Sequence, residues 1–399
     1  MAPDRPAWRT QTLVLIVIAV LGTLPFWLSD LDLRVAAHFY HPETDDPWRE
    51  AGLPLWSFFY RAVPVLTAVL MLGALIALAA GAFASRWRSW RLPAALLLLT
   101  GMLGPGLLIN GVLKEHWDRP RPHQVEALGG TKDYLPPLRL GIQDGGKSFP
   151  SGHSSVGYLL LVFYLLWRPS RPRLALAALI VALALGTLLG VGRMAAGDHF
   201  LSDVIWSGVI TYAVALILYF GVLRIPQRQS ALAIAPAPPP LSARQRLLLG
   251  VAAALGGSLL LFGVLLATPV SENKREVIRQ GAPDPSPRVL RIEADYADLV
   301  VYGMDGSERA LVRLQARGFG LPGARVDRGS EVRDGVLTYR IVHRGVFTER
   351  DTRLVVAVVA GQWDRIEARV GTGDIRVQSG GLTGPAMDLV SKEGTVLVE

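Results

Sequence analysis

Three short stretches of the chain gather the side chains able to do chemistry. The first is Lys114-Glu-His-Trp-Asp-Arg119-Pro-Arg121-Pro122, the second Pro150-Ser151-Gly152-His153, and the third Gly192-Arg193-Met-Ala-Ala-Gly-Asp198-His199-Phe-Leu-Ser-Asp203. Lys114, Arg121 and Arg193 make a three-cation clamp, which suits a tetrahedral dianion such as phosphate better than a carboxylate. Ser151, Gly152 and His153 open an apolar helix, where backbone N–H groups and the helix dipole favour an anion. His199 and Asp203 stand four residues apart and share a helix face, so the carboxylate can hold one imidazole nitrogen. The other nitrogen is then free to attack. His153 is left to protonate a leaving oxygen.

Taken singly, each residue has an ordinary explanation. Lys114 or Arg121 is a cation at a helix end, His199 a hydrogen-bonded interfacial histidine, and Asp203 a partner of a helix N-terminus. Those explanations do not say why all of them gather at one side of the helices that carry them. Ionisable groups at the ends of apolar spans are costly and by default mark function. Arg119, His116 and His123 fill no role in this scheme and read as solvated loop residues. Asp198 precedes His199, so it points to another helix face and stays outside the triad. The histidines are too scattered for a metal ligand set. Cys is 0 in the chain, which removes thiol catalysis and Cys-ligated metals. No metal and no cofactor is expected.

The elements that position these residues are membrane spans. Of 399 residues 51% are hydrophobic and 19% charged, and the mean hydropathy is +0.34. A soluble protein carries about a quarter charged residues, so a purely soluble enzyme is excluded. Seven stretches, near 12–28, 63–84, 92–113, 154–167, 174–192, 203–223 and 246–268, approach the ~20 apolar residues that a bilayer requires. The basic segments, in which Asp4 is the only acidic residue, lie before span one (Arg5, Arg9) and after spans two, four and six (Arg86, Arg88, Arg91; Arg168, Arg171, Arg173; Arg224, Arg228, Arg244, Arg246). They fall on one side, which the positive-inside rule makes cytoplasmic. The three stretches of chemistry, and everything after 268, then face outward. The net charge of +8 is explained by these loops, so no nucleic acid partner is expected. Trp87-Arg-Ser-Trp90 reads as an interfacial anchor.

From Val289 onward the pattern changes to period-two alternation, as in Leu-Val-Val-Ala-Val-Val at 354–359, which indicates β structure. Gly-Asp-Ile-Arg-Val (373–377) echoes in Gly-Thr-Val-Leu-Val (394–398), a period that suits β-solenoid rungs. A sandwich is the competing form. The fold class expected is an all-α polytopic membrane helix bundle with a C-terminal all-β extramembrane domain. Its parts are a six-span core at 1–225, an Ala/Pro-rich linker at 226–245 and a seventh span at 246–268. A second linker at 269–288 leads to the β domain at 289–399.

The three motifs resemble the signature of the type 2 phosphatidic acid phosphatase superfamily of membrane lipid phosphatases, relatives of the vanadium haloperoxidases. Lys, six residues, Arg-Pro is met by Lys114, Arg121 and Pro122. Pro-Ser-Gly-His is met by Pro150, Ser151, Gly152 and His153. Ser-Arg, five residues, His, three residues, Asp is met by Arg193, His199 and Asp203, with Gly192 where the family usually has Ser. The resemblance covers roughly residues 12–223. It implies metal-independent hydrolysis of a phosphate ester or diphosphate on a lipid, and the loop charges put that site at the outer surface of what is expected to be a bacterial inner membrane. His199 would be the nucleophile forming a phosphohistidine, His153 the acid and Asp203 the orienting partner. Lys114, Arg121, Ser151, Gly152 and Arg193 would bind the phosphoryl oxygens. Undecaprenyl diphosphate, phosphatidylglycerophosphate, phosphatidate and lipid A phosphates are all candidate substrates. Residues 124–137 resemble the corresponding loop of members that act on lipid A and related lipids. A phosphotransferase using the same residues, and a non-enzymatic anchor that presents the β domain to an envelope partner, are the alternative readings.

Overall fold

Among the described residues of the computed structural model, six helices are long and apolar enough to cross a membrane, and a shorter apolar helix covers Gly152–Trp167. The structure describes residues 5–44, 46–142, 146–228, 242–278, 287–306, 308–359, 361–378, 380, 382 and 384–398. The Ala/Pro-rich segment 231–241 and residues 279–286 lie outside the described residues, as do Asp45 and Asp144 of the outward loops. By internal packing the chain divides into two units, Met1–Phe262 and Gly263–Glu399.

The first unit begins with α1 (Arg5–Leu21), α2 (Leu24–Leu28) and α3 (Leu31–Ala37). Pro54 opens the long helix α4 (Pro54–Phe83), in the first-turn position where the missing N–H costs nothing. The third span, α5 (Arg86–His116), is wound as a π-helix over Met102–Leu113, with Pro105 inside it. Pro105 supplies no N–H of its own. The Asn110 side chain donates to the Pro105 carbonyl at 2.7 Å, giving the displaced backbone oxygen a partner. The remaining spans are α6 (Gly152–Trp167), α7 (Pro172–Met194), α8 (Leu201–Val222) and α9 (Ala243–Leu266).

Close backbone approach sets the packing of α6 on α7. A Cβ on Gly157 would lie 2.5 Å from the Gly186 nitrogen, so only glycine fits. Small residues play this role between membrane helices, where no hydrophobic effect draws helices together. Around that contact a core of Leu96, Leu159, Val162, Ala182, Val204, Ala215 and Tyr219 is buried. Outward of it, Leu176, Ile180 and Val181 of α7 are exposed, as are Leu247, Val251, Leu255 and Leu259 of α9. Such rows are lipid-facing in a multi-pass membrane protein.

From Thr268 onward the described elements of the second unit are β-strands. Strands β1 (Thr268–Ile278), β2 (Val289–Tyr296), β3 (Asp298–Met304), β4 (Ala310–Gly320), β5 (Arg325–Arg333) and β6 (Val336–Arg344) come first. They are followed by β7 (Phe347–Val359), β8 (Arg365–Thr372), β9 (Ile375–Gln378), β10 (Ala386–Glu393) and β11 (Val396–Val398). Two sheets form, in the orders β1-β4-β7-β3-β9-β11 and β10-β8-β2-β6-β5. Between them Leu290, Ile292, Leu299, Val301, Leu314, Ile341, Leu354, Ile366, Ile375 and Val377 are buried. The two forms expected for this domain therefore coexist. Two sheets face each other, yet β2, β8 and β10 stack in parallel in one and β3, β9 and β11 in the other. The sequence echo lies in this stack in register, with Ile375 opposite Val396 and Val377 opposite Val398. Asp side chains tie the corners. Asp298 accepts from the Asp374 amide at 3.0 Å, and Asp374 accepts from the Thr395 amide at 2.8 Å.

One expected boundary moves. The linker expected over 269–288 is strand over Thr268–Ile278, paired along its whole length with β4. β1 is an edge strand with mostly exposed or half-buried side chains. Its polar sequence therefore carries little of the alternation by which strands are recognised, and charged residues are usual at such an edge.

Candidate active site

The three stretches converge at the ends of α5, α6, α7 and α8. Lys114 ends α5, Ser151 caps α6, Arg193 ends α7 and Asp203 lies in the first turn of α8. Lys114, Arg121, Ser151, Gly152, His153, Arg193, His199 and Asp203 are all buried. Hydrogen bonds knit the segments that carry them. Ser207 donates both to the Ser151 carbonyl, at 2.7 Å, and to the Asp203 carbonyl, at 2.8 Å. The Ser151 amide donates to the Asp203 carbonyl at 3.3 Å. The start of α6 is thereby pinned to the start of α8.

His199 shows how the imidazole is oriented. Its Nδ1 lies 2.6 Å from the Ser148 carbonyl oxygen. A carbonyl only accepts, so Nδ1 carries the proton and Nε2 keeps its lone pair. Asp203 was expected to hold this nitrogen, but its Oδ2 is 3.9 Å from Nδ1, beyond hydrogen-bond reach. The carboxylate instead accepts from the Ser148 hydroxyl at 2.6 Å and from the Phe200 amide at 2.7 Å. Asp203 thus reaches His199 through Ser148, besides acting through space. The side-chain vector from the first turn of a helix favours its own N-terminal amides over a ring in the preceding loop.

The charge around His199 is mostly positive. Burial first, then Lys114, Arg193 and Arg121, hold its pKa well below the usual histidine value, against the raising effect of the Ser148 carbonyl. All three cations of the expected clamp thus act electrostatically on one ring. A neutral imidazole with Nε2 unprotonated is the form a nucleophile needs.

His153 stacks on Tyr60 of α4, with ring centroids 5.1 Å apart and an interplanar angle of 19°. On the same tyrosine, the Arg193 guanidinium carbon lies 4.9 Å from the ring centroid, within cation–π range. Tyr60 therefore fixes one cation and one histidine together. At Gly192, where the family usually has Ser, a Cβ would come within 3.0 Å of the Trp56 ring. Trp56 occupies the space a side chain would need.

Three expectations are corrected here. Arg119 is not solvated: it is fully buried, with Nη2 2.8 Å from Asp32 Oδ2 and Nη1 bonded to Asp203. The His123 side chain is buried too, its Nδ1 2.8 Å from the Gly197 carbonyl oxygen. His116 alone of the three is exposed. Asp198 does not point away on another helix face. It lies in the loop before α8, buried, 3.0 Å from Arg193 Nη2 and 3.6 Å from Arg121 Nη1, so two of the three expected clamp cations face an internal carboxylate. Tyr60, Ser148, Asp32 and Arg119 were not legible as site residues. Their partners lie tens of residues away, and no spacing rule links them.

With this geometry in view, the relatives are informative. The family model of the PAP2 superfamily matches residues 94–225. The chain is 31% identical over 194 residues to a lipid A 4'-phosphatase of Francisella tularensis subsp. novicida, across 48% of this chain and 85% of that protein. It is 35% identical over 188 residues to a lipid A 4'-phosphatase of Rhizobium leguminosarum, across 46% of this chain and 76% of the relative. A phosphatidylglycerophosphatase B of Bacillus subtilis is 29% identical over 169 residues, across 40% and 72%. The chain belongs to the PAP2 superfamily, as a multi-pass membrane phosphatase with an added C-terminal β domain.

Proposed function

We propose that the chain hydrolyses a phosphate monoester on a glycolipid of the lipid A class, through a phosphohistidine on His199. One observation carries the mechanism: Nδ1 of His199 is committed to the Ser148 carbonyl, so Nε2 is the nitrogen with a lone pair for phosphorus. Nε2 attacks, the bond from phosphorus to the sugar oxygen breaks, and His153 delivers a proton to that oxygen. His153, now neutral, takes a proton from water as the water attacks the phosphohistidine. Inorganic phosphate leaves and both histidines return to their starting forms. Lys114, Arg121 and Arg193 would hold the phosphoryl oxygens, with the Ser151 hydroxyl and the Gly152 amide. Charge building up on those oxygens is the largest target for stabilisation in such a site.

The substrate class is supported by the Francisella and Rhizobium relatives, each named for a lipid A 4'-phosphatase. The distribution of arginines favours a site facing outward from the cytoplasmic membrane. The test is phosphate release by detergent-purified protein from a panel of lipid A, phosphatidylglycerophosphate, phosphatidate and undecaprenyl diphosphate, with EDTA present. Brief incubation with radiolabelled lipid phosphate, followed by denaturation, should leave label on the protein in an acid-labile, base-stable form. Absence of that label during turnover overturns the covalent step. Preference for another lipid in the panel overturns the substrate class alone.

A further inference from the structure

We infer that Asp32 and Arg119 are positioning residues for His199, acting through Asp203 and Ser148 to fix both the place and the charge of the nucleophile. This inference rests on the reading of His199 as nucleophile. Asp32, Arg119 and Asp203 are all fully buried and form one line of alternating charge. Asp32 comes from α3, far from the motifs in sequence. Its carboxylate accepts from Arg119 Nη2 at 2.8 Å, the Ser202 amide at 3.0 Å, the Ser202 hydroxyl at 2.5 Å and the Tyr134 hydroxyl at 3.1 Å. Arg119 further donates from Nε to the Leu135 carbonyl at 2.8 Å and from Nη1 to Ser202 Oγ at 2.9 Å and to Asp203. Its guanidinium carbon sits 4.7 Å from the centroid of the Phe200 ring.

Each bond in this set has a consequence for His199. Arg119 and Asp32 hold Ser202 and Phe200, which bracket the start of α8 directly after His199 in the chain. Asp203 in turn holds the Ser148 hydroxyl, and the Ser148 carbonyl holds His199 Nδ1. The Ser148 amide donates to the Arg119 carbonyl at 3.0 Å, which closes the circuit. Burying a charged group this completely is costly unless it is paired. Removing one member leaves its neighbour unpaired, and fold stability alone would be served as well by apolar residues.

The charge argument can be tested apart from folding. The charges that act on His199 are Lys114 from α5, Arg121 from the following loop and Arg193 from α7, with Asp203 of α8 3.9 Å from Nδ1. Asp198 lies behind Arg121 and Arg193, while Asp32, Arg119 and Tyr134 lie behind Asp203. Arg119 neutralises the carboxylate 3.9 Å from Nδ1. Without it, Asp203 would favour the imidazolium, and the nucleophile would be lost to protonation at higher pH. Without the charge on Asp32, Arg119 would count for more, and the imidazolium would be disfavoured further.

The experiment measures kcat, KM and the pH dependence of kcat/KM for the purified full chain with one lipid monoester. Arg119→Met is expected to lose about 100-fold or more in kcat, keep KM within about threefold, and move the acid limb upward by about one pH unit. Arg119→Lys keeps the charge and should return kcat to within about tenfold of the parent, with the limb unmoved. Asp32→Asn should lose kcat without raising KM, and its limb should move down or stay. The substrate's own ionisation is common to all variants and cancels from the comparison. An unmoved limb in Arg119→Met, an equal shift in Arg119→Lys, or an upward shift in Asp32→Asn overturns the inference. Should Arg119→Met fail to fold, the near-isosteric Asp32→Asn decides, through its limb and its split between kcat and KM. A parent protein that releases no phosphate, or forms no phosphohistidine, would instead refute the reading on which this rests.

Discussion

Asp203→Asn removes one charge and almost no volume, so it isolates what the carboxylate does for His199. Attack on phosphorus makes the imidazole cationic, and the carboxylate 3.9 Å from Nδ1 stabilises that cation. At an effective dielectric near 20, unit charges ~4 Å apart interact by about 4 kcal/mol. Arg119, paired with the same carboxylate, offsets roughly half of this, which leaves about 2 kcal/mol, or about 30-fold in kcat. In a Ser-His-Asp triad the same change costs about 10⁴-fold, because the imidazole turns to the wrong tautomer. Here the Ser148 carbonyl keeps the proton on Nδ1 whatever residue stands at 203. The loss should therefore stay between about 10-fold and 100-fold and fall on kcat. Asparagine has one acceptor oxygen where the carboxylate has two, so either Arg119 or the Phe200 amide is left donor against donor, and the melting temperature should drop for a cost of about 1–3 kcal/mol. The assay is steady-state turnover of a detergent-dispersed lipid monoester, with folding followed by thermal shift. A loss near 10⁴-fold in folded protein would refute the reasoning and put the carboxylate in direct command of the tautomer.

Further outcomes are expected elsewhere in the molecule. His153→Ala should lose about 10²–10⁴-fold on a lipid monoester, whose alkoxide needs a proton, yet keep partial activity on p-nitrophenyl phosphate, while His199→Ala should be inactive on both; equal losses for His153→Ala on the two substrates would remove its role as acid. Alkaline phosphatase fused after residue 130 should be active in cells and silent after residue 88, and the reverse pattern would invert the orientation. In the β domain, burial lowers the pKa of His343 against the raising effect of its partner Asp295. Asp295, for its part, overcomes a raising effect of burial through its bonds from His343, and its own pKa is lowered. Both shifts favour the unfolded chain as protons are added, so stability should fall as the pH drops below about 6.5 and fall again toward 4. Amide exchange in β6 and β7 of the intact protein reads this, and exchange insensitive to pH in that range, after correction for its intrinsic rate, would refute it.

Much of the candidate site was legible because its residues lie close together in the chain. Lys114 with Arg121, Ser151 with His153, and Arg193 with His199 and Asp203 each occupy one span end, and span ends are readable from hydropathy. The β domain announced itself through alternation and through the repeat at 373–377 and 394–398. What stayed hidden has no local signature. Asp32 and Arg119 are 87 residues apart, and a charged residue in a loop looks the same in sequence whether water or a carboxylate surrounds it. The true partner of His199 Nδ1 is a backbone carbonyl, which every residue possesses, so no pattern of residue types could have named Ser148. Tyr60 lies just before the span expected at 63–84, after Phe58 and Phe59 and beside Arg61, where one more aromatic ring carries no message. β1 escaped notice because an edge strand need not be apolar.

The stacked strands of the β domain bear on how this chain tolerates insertion and duplication. β8–β9 and β10–β11 are successive layers in which each residue lies opposite its counterpart 21 positions on, as with Ile366 and Met387 or Ile375 and Val396. Layers of this kind contact their neighbours only, so each adds its own increment of stability. Copying 21 residues in tandem would lengthen the stack by one layer, with a further Asp available to cap the next amide as Asp298 and Asp374 do. A single inserted residue within a strand would instead turn every following side chain to the opposite face. The domain is therefore elastic to whole-layer changes of length and brittle to the smallest ones, a tolerance that a deep insertion library would display as a period of 21.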